Sequence, residues 1–183
     1  MIRKPLLSLL LSFSLISVYG QTELQTVAEK SNFESTSRHE DVMAFVNQLK
    51  ASNYIKVETI AKTIEGKDIP LLIVGNPLPK SPKDLLNDKR VIVYIQANIH
   101  SGEVEGKEAV LMYLRDLVKN KNPEVLKDVV LLVCPNLNAD GNDKISKQNR
   151  TNQNGPINGV GVRYNGQFLD LNRDAMKIES PEM

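Results

Sequence analysis

His100 and Glu103 are the residues of this chain whose types and spacing point most directly to chemistry. They lie three positions apart, directly after the apolar run 91–95 and at the start of a predicted helix, so their side chains can reach one point. Imidazole nitrogen and carboxylate oxygen both bind zinc, which in catalytic sites takes three protein ligands and keeps one position for water. A structural interpretation stays open, in which Glu103 only complements the dipole of the first helical turn. The motif is short, so the rest of the chain must support it.

Two buried strands and a helix are predicted to position this pair. Residues 91–95 are continuously apolar, which is typical of a central strand covered on both faces. A helix follows over about residues 105–119, with Ala109, Met112 and Leu117 on its buried side, and a second apolar run covers 129–133. Strand, helix and strand predict a parallel βαβ unit, whose ligands gather beyond the carboxyl ends of the strands. His100 and residues 138–141 are both expected there.

The remaining elements complete an α/β fold, with a mixed, mostly parallel central sheet and helices on both faces. A helix is predicted from a capping box of Ser37 and Glu40 to about residue 52, with His39 solvated in its first turn. Runs 54–64 and 69–74 predict a β-hairpin, and a short helix is expected at 82–87. The Asn-, Gly- and Lys-rich stretch 142–167 is predicted to be a long loop of the kind that is usually functional or mobile.

The N-terminus is typical of a secretory signal peptide. Arg3 and Lys4 precede an apolar stretch at 6–18 that is short for a membrane span, and cleavage is predicted after Gly20. A buried N-terminal helix is the alternative. We therefore expect a secreted or periplasmic protein without a stable membrane anchor, a leader at 21–36 and a domain at 37–183.

Composition excludes other classes of function. The formal charge is +1 and no basic patch is interleaved with aromatic residues, so nucleic acid is not expected as a partner. The single cysteine, Cys134, can form no internal disulfide and is expected to be a small buried side chain.

Four segments, taken in order, resemble the zinc carboxypeptidase family, the carboxypeptidase A-like metallopeptidases, from about residue 37 to the end. The segment IAKTIEGKDIPLLIVG resembles the family's opening hairpin with its Thr-x-Glu-Gly turn, and VIVYIQANIHSGEVEG resembles the strand that ends in H-x-x-E. Further along, PNLNADG resembles the family's N-P-D-G loop, and DLNRD contains the Asn-Arg pair. Ala139 stands where the family usually has proline.

The resemblance implies a role for each matching residue. His100 and Glu103 are then two ligands of a Zn²⁺ cofactor. Asn172 and Arg173 receive the terminal carboxylate of a peptide or protein substrate, for which the planar guanidinium offers two hydrogen bonds. The activity implied is hydrolysis of C-terminal peptide bonds by metal-activated water.

The roles of the arginines leave two questions open. The family stabilises the oxyanion with an upstream arginine; Arg150 occupies roughly that place and is preferred, with Arg163 as its rival. Arg173 has a purely structural alternative, an ion pair with Asp170 or Asp174.

The chain also departs from the family pattern. No histidine follows Arg173, and the carboxylates Asp174, Glu179 and Glu182 come too soon to be the catalytic glutamate. The third zinc ligand and the general base are therefore missing, and we expect a truncated N-terminal part of a peptidase domain that is inactive alone.

Two other functions remain open. A zinc amidohydrolase of the succinylglutamate desuccinylase or aspartoacylase type shares the H-x-x-E start and the Asn-Arg pair, but such enzymes are generally cytosolic. A secreted, non-catalytic module would bind carboxylates through Asn172 and Arg173. The signal peptide and the Thr-x-Glu-Gly hairpin favour the peptidase over the amidohydrolase.

Overall fold

A computed structural model of the chain describes residues 23–119 and 123–183. The predicted signal peptide and its cleavage after Gly20 lie outside the described residues. The helices are α1 Val27–Lys30, α2 His39–Leu49, α3 Pro82–Leu85, α4 Glu105–Lys119 and α5 Ala139–Asp143, with short 3₁₀ turns at Glu124–Lys127 and Leu171–Arg173. The strands are β1 Ile55–Lys62, β2 Asp68–Val74, β3 Val91–Gln96 and β4 Val129–Cys134. None of these described helices is long and apolar enough to cross a membrane.

The four strands form one mixed sheet in the order β1-β2-β4-β3. The predicted hairpin is present, with Gly66 at a φ of 84° in its turn, a conformation that glycine adopts without strain. The predicted parallel pairing of β3 with β4 is also present, with Val93 opposite Leu131. The α/β class and the mixed sheet are confirmed. The mostly parallel arrangement is wrong for these strands, because the hairpin joins the sheet through β2 and makes two of the three pairings antiparallel.

The main core lies between one face of the sheet and helices α2 and α4. Helix α2 buries the predicted face, comprising Val42, Phe45, Val46 and Leu49. Helix α4 buries Val110, Leu111 and Leu114, whereas Ala109 is exposed. The predicted buried side of α4 is therefore rotated, because the helix also turns the charged residues Lys107 and Glu108 inward.

Strand β3 lies at the edge of the sheet. Its free edge has no strand partner within 23–119 and 123–183, and its apolar side chains are exposed, with Val91 at 63% and Tyr94 at 51%. The prediction of a central strand covered on both faces is wrong for the described part of the chain. The apolar sequence of β3 nevertheless matches an interior position in a larger sheet.

Two predictions for the start of α2, the capping box and the solvated histidine, are wrong. The capping box is wrong, because Ser37 donates its hydroxyl hydrogen to Glu108, and Asp41 instead accepts from the backbone N–H of Arg38. His39 is buried rather than solvated, and Asn136 lies 3.3 Å from its Nδ1. Burial lowers the pKa of His39, against the opposing effect of Asp143.

Cys134 is a free, buried thiol, as predicted. Burial raises its pKa to about 12, so at neutral pH it is protonated and a poor nucleophile.

Candidate metal centre

The loop between β3 and α4 carries His100 at the carboxyl end of β3. Asn98 turns the chain out of the strand with a φ of 62°, a conformation that asparagine adopts more readily than most residues. The amide of Asn138 then donates to the carbonyl of Ile99 over 3.3 Å, and the hydroxyl of Ser101 donates to the carbonyl of Asn138 over 2.7 Å. The loop is thus fixed to the segment that follows β4, as the predicted βαβ unit requires.

The side chains of His100 and Glu103 converge. Nδ1 of His100 lies 3.2 Å from Oε1 of Glu103, and His100 is only 4% exposed. Two ligands bound to a tetrahedral zinc at about 2.0–2.1 Å are about 3.3 Å apart. The 3.2 Å separation of these two atoms, which here is that of a hydrogen bond, is therefore also compatible with a shared metal ion.

Asp170 holds the other side of the imidazole. Its Oδ1 lies 2.9 Å from Nε2 of His100, and its Oδ2 accepts from Nε of Arg163 over 2.9 Å. Partial burial acts to raise the pKa of Asp170, but the hydrogen bonds from His100 and Arg163 outweigh it and leave the pKa lowered. A carboxylate on the far nitrogen of a metal-binding histidine fixes the ring and its tautomer. Asp170 occupies that position.

Arg150 reaches the pair from the long loop. Its Nη2 donates to Oε1 of Glu103 over 2.8 Å, and its side chain crosses Gly102 so closely that a Cβ there would lie 2.3 Å from Nε. Burial acts to raise the pKa of Glu103, but the hydrogen bonds from Arg150 and His100 lower it below its ordinary value. Arg150 and Arg163 both line a shallow, open depression of about 530 Å³.

Asn172 and Arg173 follow Asp170 after one buried residue, Leu171, and are exposed. The backbone N–H of Asn172 donates to Oδ1 of Asp170 over 3.1 Å, which ties this turn to His100. Arg173 pairs with neither alternative partner, since Asp170 binds His100 and Arg163 while Asp174 binds the backbone and hydroxyl of Ser180. Among residues 23–119 and 123–183, the guanidinium of Arg173 donates only to the carbonyl of Asn172, and Arg173 is exposed.

The donor set fits two positions of a zinc site. Within residues 23–119 and 123–183, no group of three His, Cys, Asp or Glu side chains is arranged to hold a metal ion. Asp170 does not add a third ligand, because it lies at Nε2, whereas Glu103 lies at Nδ1. The described residues thus supply two ligands and one orienting carboxylate.

A buried polar cluster supports the loop from behind. Lys107 is fully buried; its ammonium donates to the carbonyl of Ser37 and, over 2.7 Å, to Oδ1 of Asn142. The same oxygen accepts from the amide of Asn98 over 3.1 Å. Burial lowers the pKa of Lys107 to about 8. The carboxylate of Glu108 accepts from Thr36 and Ser37 and lies 3.8 Å from Lys107, completing the cluster.

Sequence reasoning missed Asp170 as the partner of His100, Arg163 as the partner of Asp170, and the Lys107 cluster. The only sequence signal for Asp170 is its position just before the Asn-Arg pair. No local pattern marks Lys107, whose neighbours Glu105 and Glu108 make it look like part of a solvated face.

The sequence and the fold of the chain are similar to those of known proteins. The sequence model of the zinc carboxypeptidase family matches residues 42–181. Cytosolic carboxypeptidase 2 from Macaca fascicularis and from Homo sapiens are each 28% identical over 102 residues, or 55% of this chain. The match covers 12% and 11% of those proteins, so the chain spans a small fraction of the relatives it matches.

Solved structures show the same fold. A metallo-carboxypeptidase from Burkholderia cenocepacia superposes with a TM-score of 0.57 at 23% identity, covering 78% of this chain and 35% of its own. Carboxypeptidase A from Helicoverpa armigera gives 0.52 at 19% identity, with 75% and 31% covered.

Proposed function

Because the chain belongs to the zinc carboxypeptidase family, we propose that the protein containing it hydrolyses C-terminal peptide bonds of peptides or proteins. The observation that carries this proposal is the convergence of Nδ1 of His100 and Oε1 of Glu103, with Asp170 on the opposite ring nitrogen. His100 and Glu103 would hold Zn²⁺, which when bound lowers the pKa of a water molecule and polarises the scissile carbonyl.

The other residues of the site act on the substrate. Arg173 and the side chain of Asn172 are accessible to the terminal carboxylate, which the guanidinium can bind through two hydrogen bonds. Arg150, whose guanidinium lies beside Glu103, would donate to a developing oxyanion. We assign the oxyanion role to Arg150 rather than Arg163, because Arg150 contacts Glu103 on the Nδ1 side of His100, whereas Arg163 contacts Asp170 on the Nε2 side.

Residues 21–183 alone are expected to show no measurable carboxypeptidase activity, even with added zinc. The described residues hold two zinc ligands, and no group of three that could hold a metal ion is present among them. No carboxylate of the sequence matches the family's catalytic glutamate, a general base worth about 10²- to 10⁴-fold in rate. The measurement is release of C-terminal residues from peptides with free and with amidated C-termini. Zinc-dependent release from the free-acid peptides alone would contradict the expectation that this chain is inactive.

The same pair of substrates tests the parent activity in a longer protein that includes this sequence. Cleavage of free-acid peptides but not of amidated ones is expected, because Arg173 recognises the carboxylate. Preference for acylated amino acids would support an amidohydrolase, and binding of free-acid peptides that persists after zinc is chelated would support a non-catalytic module.

We also propose that the protein is exported, on the basis of Arg3, Lys4 and the apolar residues 6–18. Cleavage after Gly20 should leave Gln21 as the first residue of the exported protein. Intact-mass measurement of the exported fraction checks this, with a Leu9→Arg change in the apolar stretch as the control that should block export. Recovery of the uncleaved protein only from the cytoplasm would rule out the signal peptide.

A further inference from the structure

We propose that Asn154 is a site of spontaneous chemical modification, at which the side-chain amide is lost through reaction with the backbone nitrogen of Gly155. Water is the co-reactant. The inference is independent of the proposed function, because it concerns the long loop 142–167 and requires neither a metal ion nor a substrate.

The reaction is characteristic of asparagine followed by glycine. The backbone nitrogen of the glycine loses its proton and attacks Cγ of the asparagine. A C–N bond forms, the bond between Cγ and Nδ2 breaks, and the amide nitrogen leaves with that proton as ammonia. Water then opens the cyclic imide at either carbonyl, which gives aspartate or an isoaspartate whose main chain runs through Cβ and Cγ. Glycine favours the attack because it has no Cβ and its backbone is the least restricted.

The sequence contains three such pairs, and all of them lie in the long loop: Asn154-Gly155, Asn158-Gly159 and Asn165-Gly166. The reaction has two structural requirements. The N–H of the glycine must be free to lose its proton, and the side chain of the asparagine must be free to turn towards that nitrogen. The structure distinguishes the three pairs by these requirements.

Asn165 is protected by its side-chain contacts. It is only 1% exposed, and its Nδ2 donates to Glu182 over 3.1 Å. Its Oδ1 accepts from the backbone N–H groups of Gln167 and Leu169, each over 2.9 Å. The side chain cannot turn towards Gly166 without breaking these bonds in a buried position, where lost hydrogen bonds are costly.

Asn158 is exposed, but its pair is held at both reacting groups. Its Nδ2 donates to the hydroxyl oxygen of Ser35 over 3.0 Å. The N–H of Gly159 donates to the carbonyl of Pro156 over 2.9 Å, and Gly159 is buried. The nitrogen that would attack is therefore already bound and shielded from base.

Asn154 meets both requirements. Asn154 and Gly155 are exposed. Within residues 23–119 and 123–183, no partner forms a hydrogen bond with the side chain of Asn154 or with the N–H of Gly155. Gly155 also lines a cavity of about 140 Å³ together with Lys147 and Arg150. Positive charge beside the glycine favours loss of the proton from its nitrogen.

The position of Asn154 gives the modification a structural consequence. Asn154 directly follows Gln153, whose Nε2 donates to the carbonyl of Gly102 over 2.7 Å and whose Oε1 accepts from Arg150 over 3.1 Å. These contacts join the long loop to the loop that carries His100. Modification adds a negative charge, and the isoaspartate product also lengthens the main chain, immediately beside this junction.

Peptide mapping of the full chain after incubation at mildly alkaline pH tests the proposal. Trypsin places Asn154 and Asn158 in peptide 151–163 and Asn165 in peptide 164–173, so fragmentation spectra assign each change. We expect Asn154 to react at least about 10-fold faster than the other two, because their reaction requires local opening of the structure. Both aspartate and isoaspartate should form. In denaturant, which removes the protection, the three sites should react at comparable rates.

Gly155→Ala is the matched variant. The added Cβ would lie 3.5 Å from Cγ1 of Val160 and 3.8 Å from Nε2 of Gln153, which are ordinary contacts, so the fold should be retained. Modification at Asn154 should slow by about 10-fold, because the Cβ restricts the approach of the backbone nitrogen. Asn158→Gln should leave the rate at Asn154 unchanged. Equal or faster modification of Asn158 or Asn165 in the folded chain, an unchanged rate in Gly155→Ala, or aspartate without isoaspartate would overturn the proposal.

Discussion

Replacement of His100 by alanine is expected to weaken zinc binding by at least about 100-fold in any form of the protein that binds zinc. The change removes an imidazole that lies 3.2 Å from Glu103 and is oriented by Asp170. Loss of an outer-shell partner alone typically costs about 10- to 100-fold, so loss of the ligand itself should cost more. Glu103→Gln should also weaken binding, because a neutral amide replaces the anionic oxygen. Competition with a chromophoric chelator measures both affinities.

The matched control is the only other histidine of the chain. His39 lies at the start of α2 and contacts Asn136 rather than Glu103, so His39→Asn should keep zinc binding close to that of the parent protein. Circular dichroism checks that both variants fold. Stoichiometric zinc in a protein with both His100→Ala and Glu103→Gln would remove the basis of the proposed function.

Replacement of Glu108 by alanine is expected to lower the free energy of unfolding by about 3–5 kcal/mol, the usual cost of removing one partner of a buried ion pair. Glu108 lies 3.8 Å from the ammonium of Lys107 and accepts hydrogen bonds from Thr36 and Ser37. Its removal leaves the fully buried Lys107 without its carboxylate. Chemical denaturation measures the loss, and the control is Glu105→Ala, an exposed glutamate in the first turn of the same helix.

The loss caused by Glu108→Ala should depend on pH in a defined direction. Burial lowers the pKa of Lys107 to about 8, against an ordinary value near 10.5, and Glu108 opposes that shift. Removing Glu108 lowers the pKa further, so the folded variant releases the lysine proton at a lower pH than the folded parent does. The difference in stability should be largest near pH 6 and smaller near pH 9, because the unfolded chain then binds the proton that the folded variant has released. An equal loss of unfolding free energy at pH 6 and at pH 9 would show that the ammonium of Lys107 does not cause the destabilisation.

Elements with a local sequence signal were predicted well. The hairpin, the buried face of α2, the extent of α4 and the parallel β3–β4 pair follow from periodicity and turn residues within a few positions of each other. The position of β2 between β1 and β4 has no local signal, because it depends on which strand edges meet after folding. For the same reason the pattern of residues 91–95 predicted an interior strand, although β3 is at the edge of the described sheet.

The candidate site shows the same division. His100 and Glu103 are close in sequence, so their convergence could be expected from spacing. Asp170 lies 70 residues from His100, and its contact depends on the path of the long loop. His39 was expected on a solvated face because charged residues surround it, and no local pattern singled out Lys107. They are buried because long-range partners, Asn142 for Lys107 and Asn136 for His39, supply hydrogen bonds that a local pattern does not reveal.

The exposed strand β3 also bears on how a solution of this chain will behave. Residues 91–95 contain no charge, no proline and no glycine, and they present an open row of backbone donors and acceptors at the sheet edge. Strands of this kind pair with other chains and nucleate aggregation. Of the side chains of β3 only Ile95 packs against the main core, so a well-packed interior gives little protection at this edge. We therefore expect this one short strand to limit the colloidal stability of the chain, independently of the free energy with which the domain folds.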